Sequence, residues 1–286
     1  MTLAVEERLC ADLIAAMEAG VNPWRKPWRA EQGQHRNQIS GAVYSGANPL
    51  VLELAMSLRG TDIPLWCGYG QAKARSWNPR KGSKAALILR PEIHKRVEVD
   101  ENGEPTKYVW TTYKAASVFN LANLVENDIN VVIESELGSQ QNRPEPERLE
   151  AAETVLRGWD VRPKFGGSRA FYVPSTDTIC LPSPERFESA AAFIATWCHE
   201  ASHGTGHKSR LNRDLSDRMG SASYAREELV AELASFLICR RLEVDSCPEN
   251  HASYLSSWIE ILRESPKIIL KVLSESRKAA DLICPA

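Results

Sequence analysis

One stretch, TWCHEASHGTGH at residues 196–207, constrains the fold more than any other part of this sequence. It contains an HExxH pattern, in which His199 and His203 are four residues apart. On an α-helix such residues lie one above the other on the same face, so both imidazoles can reach one metal ion. Glu200 would project beside them as the carboxylate that accepts a proton from an attacking water. The pattern therefore predicts a metal-binding helix with hydrolytic chemistry, and zinc is the expected ion.

The residues around the pattern support this prediction. An apolar run leads into it, and two glycines follow the second His, as expected for a buried helix that ends just after that residue. The apolar residues are Ala190, Ala191, Phe193, Ile194, Ala195 and Trp197, and the glycines are Gly204 and Gly206. An HExxH pattern on a surface helix arises easily by chance, whereas a buried His-Glu pair is costly without a partner.

A zinc site needs a third protein ligand. The best candidate lies 25 residues after His203, in a strongly helical segment at residues 224–241. Glu228 and Glu232 are four apart in this segment and share a face that also points toward the core. We assign Glu228 as the third ligand and Glu232 as a carboxylate that holds a ligand imidazole in its tautomer. Glu227 competes with Glu228 for the ligand position.

His207 is a further candidate, since it lies four residues after His203. Gly204 and Gly206 interrupt the helix between these two histidines, however. The spacing also differs from HExxHxxGxxH, in which the third His follows the second by six residues. We interpret His207 as a structural or substrate-side residue, with a ligand role as the alternative.

The first third of the chain is basic and rich in aromatic residues. Residues 23–96 contain 13 Lys or Arg and four Asp or Glu, a net charge of +9, although the whole chain has a net charge of −2. Cations interleaved with aromatic rings suit single-stranded DNA, which offers phosphates and unstacked bases. A solvated basic face without a partner is the alternative. The candidate DNA-binding residues are Trp24, Arg25, Lys26, Trp28, Arg36, Tyr44, Lys73, Arg75, Arg80, Lys81 and Lys84.

The length of 286 residues allows two domains, each with its own core. We predict an α+β single-stranded DNA-binding domain at residues 1–130, a polar linker at 131–146 and an α+β metallopeptidase domain at 147–286. Residues 90–99 and 107–118 are predicted to form a hairpin, preceded by a separate buried strand at 85–90. A further short strand is predicted at 118–121.

Other features concern the cellular setting. The seven cysteines form no CxxC pair, which favours a reducing compartment over a disulfide framework. Residues 1–19 have the pattern of an amphipathic helix rather than a signal peptide, and no apolar run approaches the length of a membrane span. We expect a cytoplasmic location and no membrane partner.

Two sets of residues together resemble one known family. The first half resembles the N-terminal domain of the ArdC antirestriction proteins, which TraC-type plasmid primases share. The second half resembles the zincin-type metallopeptidase domain that accompanies it. In the first half the resemblance is carried by Pro23-Trp24-x-x-Pro27-Trp28, Asn37, Tyr44-x-Gly46-x-Asn48, Gln71-Ala72, Arg80-Lys81-Gly82 and Val118-Phe119-Asn120. In the second half it is carried by Ala170-Phe171-Tyr172, Asp177-x-Ile179-x-Leu181-Pro182, the HExxH pattern, Thr205-Gly206-His207-x-Ser209-Arg210-Leu211 and residues 227–232.

The resemblance implies a plasmid- or phage-associated protein that binds single-stranded DNA and protects incoming DNA from host restriction during transfer. Subunits of host restriction-modification systems are then candidate protein partners or substrates. Zn²⁺ is the expected ion, and another divalent ion such as Mn²⁺ is the alternative. Two other functions stay open: a zinc metallopeptidase whose basic domain recruits a protein partner, and a replication or primase accessory protein.

The resemblance also implies a zincin fold, with His199, His203 and Glu228 as ligands and Glu200 as the base. The chain departs from the family pattern in two places beside the metal. Leu or a similar residue usually follows the Glu of the motif and an aromatic residue follows the second His, whereas this chain has Ala201 and Gly204. We therefore expect a different fit of the substrate near the metal.

Overall fold

The computed structural model describes residues 5–19, 34–59, 61, 63–99, 105–125, 128–138, 143–215, 221–244 and 252–285. The first half contains helices α1 (Val5–Glu18), α2 (Asn48–Arg59), α3 (Tyr69–Ala74) and α4 (Ile129–Gly138). Its strands are β1 (Arg36–Asn37), β2 (Leu65–Gly68), β3 (Asn78–Pro79), β4 (Ala86–Val99), β5 (Pro105–Asn120) and β6 (Leu124–Val125).

The second half contains α5 (Glu145–Gly158), β7 (Pro163–Phe165), β8 (Phe171–Val173), β9 (Thr178–Leu181), α6 (Ala190–Gly204), α7 (Ala222–Arg241), α8 (Ala252–Glu264) and α9 (Ile268–Ile283). The mixture of helices and sheets in both halves confirms the predicted α+β class. Within the described residues, no helix is long and apolar enough to cross a membrane.

The main sheet of the first half has the strand order β1-β2-β5-β4, with β1 parallel to β2 and the other pairs antiparallel. Strands β4 and β5 form one ladder from the pair Ala86–Val118 to the pair Val99–Pro105. The strands predicted separately at 85–90 and 118–121 are therefore the ends of β4 and β5, because the ladder continues through Pro91, which pairs with Tyr113. Residues 100–104, between the two strands, lie outside the described residues.

Among the side chains of this hairpin that the structure describes, the buried ones lie at its base. Ala86, Ile88, Leu89 and Val118 belong to the hydrophobic core, whereas most side chains beyond Arg90 are exposed. We call residues 90–97 and 107–114 the β4–β5 arm. The hairpin thus combines a base that stabilises the sheet with an arm that extends into solvent.

The second half has a three-stranded sheet of order β7-β9-β8. Strands β8 and β9 pair antiparallel around a short 3₁₀ turn at Pro174–Thr176. Helix α6 packs against β8 and β9 on one side and against α7 on the other. The sheet therefore lies directly beside the helix that carries the HExxH pattern.

The largest hydrophobic core is shared between the two halves. It includes Leu9 and Leu13 of α1, Leu52 of α2, Trp197 of α6 and Trp258 of α8. Helix α1 packs against α8 and α9. A smaller core surrounds Leu65, Cys67, Ala72, Trp77 and Leu121. The apolar faces of α1 and α2 pack against the helices of the second half, so the largest core is common to both halves.

The segment predicted as a linker is partly helical. Helix α4 covers Ile129–Gly138, and α5 begins at Glu145. Ile129 and Ile133 lie one turn apart and are buried in the smaller core. Burial of this short apolar stripe stabilises a helix in a segment whose β-branched residues, Val131, Val132 and Ile133, do not favour one.

A buried polar network connects the two halves. The carboxylate Oε2 of Glu53 lies 2.9 Å from Nε2 of His35 and accepts a hydrogen bond from Nη1 of Arg240 at 2.6 Å. The indole Nε1 of Trp66 donates to Nδ1 of His35 at 3.0 Å. An indole N–H can only donate, so Nδ1 carries no proton and Nε2 donates to Glu53. Burial, with the nearby Arg240 charge, holds the pKa of His35 well below 6.5.

We predict that Glu53→Ala lowers the free energy of unfolding by about 3–5 kcal/mol, because it removes the carboxylate that faces the buried Arg240 cation. Urea denaturation of the full chain measures this. The control is Glu92→Ala, which removes an exposed partner of Lys114 and should leave the free energy almost unchanged. Equal effects of the two substitutions would contradict a stabilising role for the network.

The neutral state of His35 predicts a pH dependence of stability. Its pKa is lowered in the folded state, so its contribution is present above the unfolded pKa of about 6.5 and is lost as the pH falls below that value. The slope contributed by one such group is at most about 1.4 kcal/mol per pH unit. Unfolding free energies between about pH 8 and pH 5 should therefore fall more steeply for the wild type than for His35→Gln. Parallel curves would show that His35 is not held neutral.

Candidate metal centre and nucleic-acid surface

Helix α6 is capped at its start and ends at a glycine that the packing requires. The Oγ of Ser189 accepts a hydrogen bond from the amide of Ala192 at 3.0 Å, which satisfies a free donor of the first turn. At the other end, a Cβ on Gly204 would lie 2.8 Å from the ring of Trp159. The close approach of this indole therefore explains why no larger residue follows His203.

Helix α7 brings three carboxylates to the exposed edge of α6. The Oγ of Ser221 accepts a hydrogen bond from the amide of Tyr224 at 3.1 Å and caps the helix. Glu227 and Glu228 are buried in the first turns, and Glu232 follows one turn later. The packing of α7 against α6 places these side chains beside the two histidines of the HExxH pattern.

His199, His203 and Glu228 converge on one point. The Nε2 atoms of the two imidazoles are 3.1 Å apart. The carboxylate of Glu228 lies 3.5 Å from Nε2 of His199 and 3.7 Å from Nε2 of His203. Among the described residues, these three alone form a group whose possible ligand atoms lie within 4.8 Å of one another. This spacing fits one ion at about 2.0–2.2 Å from each donor, and two imidazoles with one carboxylate are a donor set of catalytic zinc sites.

The outer nitrogen of each imidazole faces a second carboxylate of α7. Nδ1 of His199 lies 3.5 Å from Glu232, and Nδ1 of His203 lies 3.3 Å from Glu227. The hydrogen bond between Nδ1 of His203 and Glu227 is of the kind that fixes the tautomer and the ring orientation of a ligand histidine. Glu232 lies behind His199 at ion-pair distance. Glu227, the competing ligand considered from the sequence, lies on the far side of His203 from Glu228.

Arg213 holds Glu227 in place, and the sequence analysis missed it. Its guanidinium donates to both oxygens of Glu227, from Nε at 2.9 Å and from Nη2 at 2.8 Å. It also donates to the carbonyl of Ser202 and the hydroxyl of Thr205, each at 2.8 Å. Arg213 lies ten residues after His203 in a polar loop, and no motif marks it.

The charges of the site favour a cation between these side chains. Burial alone would raise the pKa of Glu228, but His199 and His203 lower it to about 2. Burial opposes a charge on His199 as well, yet Glu228, Glu232 and Glu200 raise its pKa well above 6.5. The effect of these charges on the pKa values is thus larger than the effect of burial. A divalent ion at this point would be stabilised by the negative charge of the carboxylates.

Glu200 is the remaining residue of the pattern. It follows His199 directly in α6 and is 7% exposed. Its charge is among the causes that raise the pKa of that histidine, which places it within electrostatic range of the site. A buried carboxylate near a metal-binding group can act as a general base.

A second polar network fastens the loop after the helix to the small sheet. Arg210 donates to Asp177 at 2.9 Å and to the carbonyl of Gly204 at 2.8 Å. Tyr172 of β8 donates to Asp177 at 2.7 Å. The hydrogen bond from Arg210 lowers the pKa of Asp177 to about 2. His207 belongs to this side of the site: its Nδ1 lies 2.7 Å from the hydroxyl of Ser209 and 3.9 Å from Asp177.

The predicted DNA-binding residues fall into three groups. Trp24, Arg25, Lys26 and Trp28 lie outside the described residues. Arg36 pairs with Glu136 of α4, and Tyr44 is half-buried against the core. The others are exposed on α3 or on the turns that follow it: Lys73, Arg75, Arg80, Lys81 and Lys84. Arg75 also lies over the ring of Trp77, with its guanidinium carbon 5.9 Å from the ring centroid.

Comparison with family models agrees with this division into two halves. Residues 4–119 match the model of the N-terminal domain of anti-restriction factor ArdC. Residues 150–275 match the model of a zincin-like metallopeptidase.

Two relatives match along almost the whole chain. The chain is 34% identical to protein y4eC of Sinorhizobium fredii over 283 residues, which cover 97% of this chain and 90% of that protein. It is also 34% identical to DNA primase TraC of Escherichia coli over 296 residues, but this match spans only 27% of TraC.

Solved structures of the antirestriction ArdC protein from the R388 plasmid are also similar. The metal-free structure is 32% identical, with a TM-score of 0.72, and the match covers 98% of this chain and 97% of that chain. The Mn(II)-bound structure is 30% identical, with a TM-score of 0.69 and the same coverage. These full-length matches and the two family models confirm the resemblance seen in the sequence, and the chain belongs to the ArdC antirestriction family, with an ArdC-type N-terminal domain and a zincin-like metallopeptidase domain.

Proposed function

We propose that this protein binds single-stranded DNA and hydrolyses peptide bonds, and that it protects incoming plasmid or phage DNA from host restriction during transfer. The observation that carries the peptidase part is the convergence of His199, His203 and Glu228, with a carboxylate behind each imidazole. Membership of the ArdC family supports the antirestriction part. Subunits of host restriction-modification systems are the proposed protein partners or substrates, and the proposed location is the cytoplasm.

His199, His203 and Glu228 are the proposed ligands of a divalent ion. The donor set favours Zn²⁺. Mn²⁺ is the second candidate, because a related ArdC protein has been solved with Mn(II). A bound ion of either kind would polarise the peptide carbonyl and make water more acidic.

Glu200 is the proposed general base. It would accept a proton from the attacking water and deliver it to the leaving amine, which is the role of the carboxylate in an HExxH site. Glu227 and Glu232 would keep the two imidazoles in the productive tautomer, with Nε2 facing the ion.

The peptide substrate would lie along β8. Within the described residues this strand pairs only with β9, so its other edge can accept an extended peptide. The packing of helix α6 against β8 supports this proposal. The proposed DNA contacts are the exposed cations at residues 73–84, together with residues 24–28.

Glu200→Gln tests the peptidase mechanism. It should keep the metal and the affinity for single-stranded DNA but lower peptide hydrolysis by about 10²–10⁴-fold, because only the proton acceptor is lost. Metal content, DNA affinity across a salt series and an antirestriction transfer assay would be measured on both proteins. Wild-type DNA binding without salt dependence would contradict the DNA-binding part, and full hydrolysis by the variant would contradict the role of Glu200. Equal protection by both proteins would mean that DNA binding alone suffices.

Glu227→Gln tests the support of His203. It should weaken Zn²⁺ binding by about 10–100-fold, since the hydrogen-bonded charge behind the imidazole is removed. Competition with a chromogenic chelator measures the affinity. Glu153→Gln, at an exposed ion pair with Arg157 on α5, is the control and should bind Zn²⁺ like the wild type. Unchanged affinity in Glu227→Gln, alongside a large loss in Glu228→Gln, would show that Glu227 does not support the site.

A further inference from the structure

The β4–β5 arm exposes large side chains that the core does not use. Ile93 is 66% exposed, Val109 64%, Tyr108 49% and Trp110 46%. Exposed aromatic and aliphatic residues clustered on one projecting element usually mark an interaction site. None of the DNA-binding residues predicted from the sequence lies on this arm.

The register of the ladder separates the arm into two faces of different chemistry. Directly paired residues lie on the same face, and neighbours along a strand lie on opposite faces. One face, which we call the cation–aromatic face, has no aliphatic residue and consists of Arg90, Glu92, His94, Arg96, Tyr108, Trp110, Thr112 and Lys114. The opposite, aliphatic face includes Pro91, Ile93, Lys95, Val97, Lys107, Val109 and Tyr113.

The indole of Trp110 is held in a defined orientation on the cation–aromatic face. It stacks on His94, with ring centroids 5.3 Å apart and an interplanar angle of 18°. Nε2 of His94 in turn lies 2.6 Å from the hydroxyl of Thr112. One side of the indole is therefore covered, while the side chain as a whole stays 46% exposed. The exposed side of this pre-oriented ring can stack on a planar group of a ligand.

Tyr108 adds a second ring to the same face. It lies two residues from Trp110 on β5, which is about 7 Å along the strand. Arg96 is its direct cross-strand neighbour. Tyr108 and Trp110 could each stack on one planar group, and the neighbouring cations could contact negative charges between those groups. The arrangement therefore suits a partner in which planar groups alternate with negative charges.

The charge of the arm identifies the class of that partner. Residues 90–97 and 107–114 carry five cations, Arg90, Lys95, Arg96, Lys107 and Lys114, and one acidic residue, Glu92. A second acidic residue, Glu98, follows in β4. Interfaces between proteins are depleted in Lys, and the cation–aromatic face offers no aliphatic surface to bury. A single strand of DNA supplies both phosphates for the cations and unstacked bases for the rings, whereas a duplex hides its base faces.

We propose that the cation–aromatic face of the β4–β5 arm is a contact site for single-stranded DNA. Bases stack on Trp110 and Tyr108, and phosphates lie against Arg90 and Arg96. This inference rests on the proposed function and adds a location to it, beyond the cations at residues 73–84.

The test compares matched double variants of the full chain. Binding of a fluorescently labelled oligo-dT is measured by anisotropy across a salt series. Tyr108→Ala with Trp110→Ala should lose about tenfold in affinity for each ring removed. The control variant, Ile93→Thr with Val109→Thr, changes the aliphatic face at the positions next to Trp110 and His94 along the strands. It should bind the oligonucleotide like the wild type. Arg90→Gln should reduce the slope of log K against log salt by about 0.7.

A conservative variant separates stacking from folding. Trp110→Phe keeps a ring on the face and should retain most of the affinity that Trp110→Ala loses. Thermal unfolding midpoints equal to that of the wild type would show that each arm variant is folded. Partial rescue by Phe in a folded protein supports stacking, and no difference between Phe and Ala overturns it.

The outcomes distinguish this inference from the proposed function. If the wild type shows no salt-sensitive affinity for the oligonucleotide, both fail. If the wild type binds and the Tyr108→Ala/Trp110→Ala variant binds equally well, only the inference fails. Sedimentation of the same proteins completes the test: loss of self-association by this variant, with DNA affinity unchanged, would make the face a contact between two copies and overturn the inference.

Discussion

The structure of the second half depends on the packing of α7 against α6, which sets three carboxylates against two imidazoles. Buried carboxylates are costly unless a positive charge or hydrogen-bond donors face them. Glu228 faces both histidines, and Glu227 accepts hydrogen bonds from Arg213 in addition to facing His203. These contacts hold the two helices in one register, so the same interactions stabilise the fold and arrange the candidate metal site.

Helix α7 also connects this site to the first half of the protein. Its early turns carry Glu227 and Glu228, and its last turn carries Arg240, which reaches Glu53 of α2. Twenty residues of α-helix span about 30 Å. One rigid element therefore links the candidate metal site to the buried network around His35. The shared core around α1 and α2 strengthens the same connection.

The elements that the sequence predicts well are those with strong local patterns. The apolar run before His199, the periodic segment of α7 and the alternation within the hairpin each specify an element type without long-range information. Helix α4 is not predicted, because the apolar residues at its start are β-branched and the burial of Ile129 and Ile133 depends on a core built from distant strands. The continuity of β4 likewise depends on pairing with β5 along its whole length.

The sequence by itself determined the family, the α+β class and the residue types of the candidate metal site, since the HExxH spacing specifies one face of a helix. The helical spacing of Glu228 and Glu232 favoured Glu228 as the ligand, with Glu227 as its competitor. The tertiary structure decided which nitrogen each carboxylate faces, because the crossing of α6 and α7 gives each a different neighbour. Arg213 and the two faces of the β4–β5 arm likewise depend on contacts between residues distant in the chain, which no local pattern encodes.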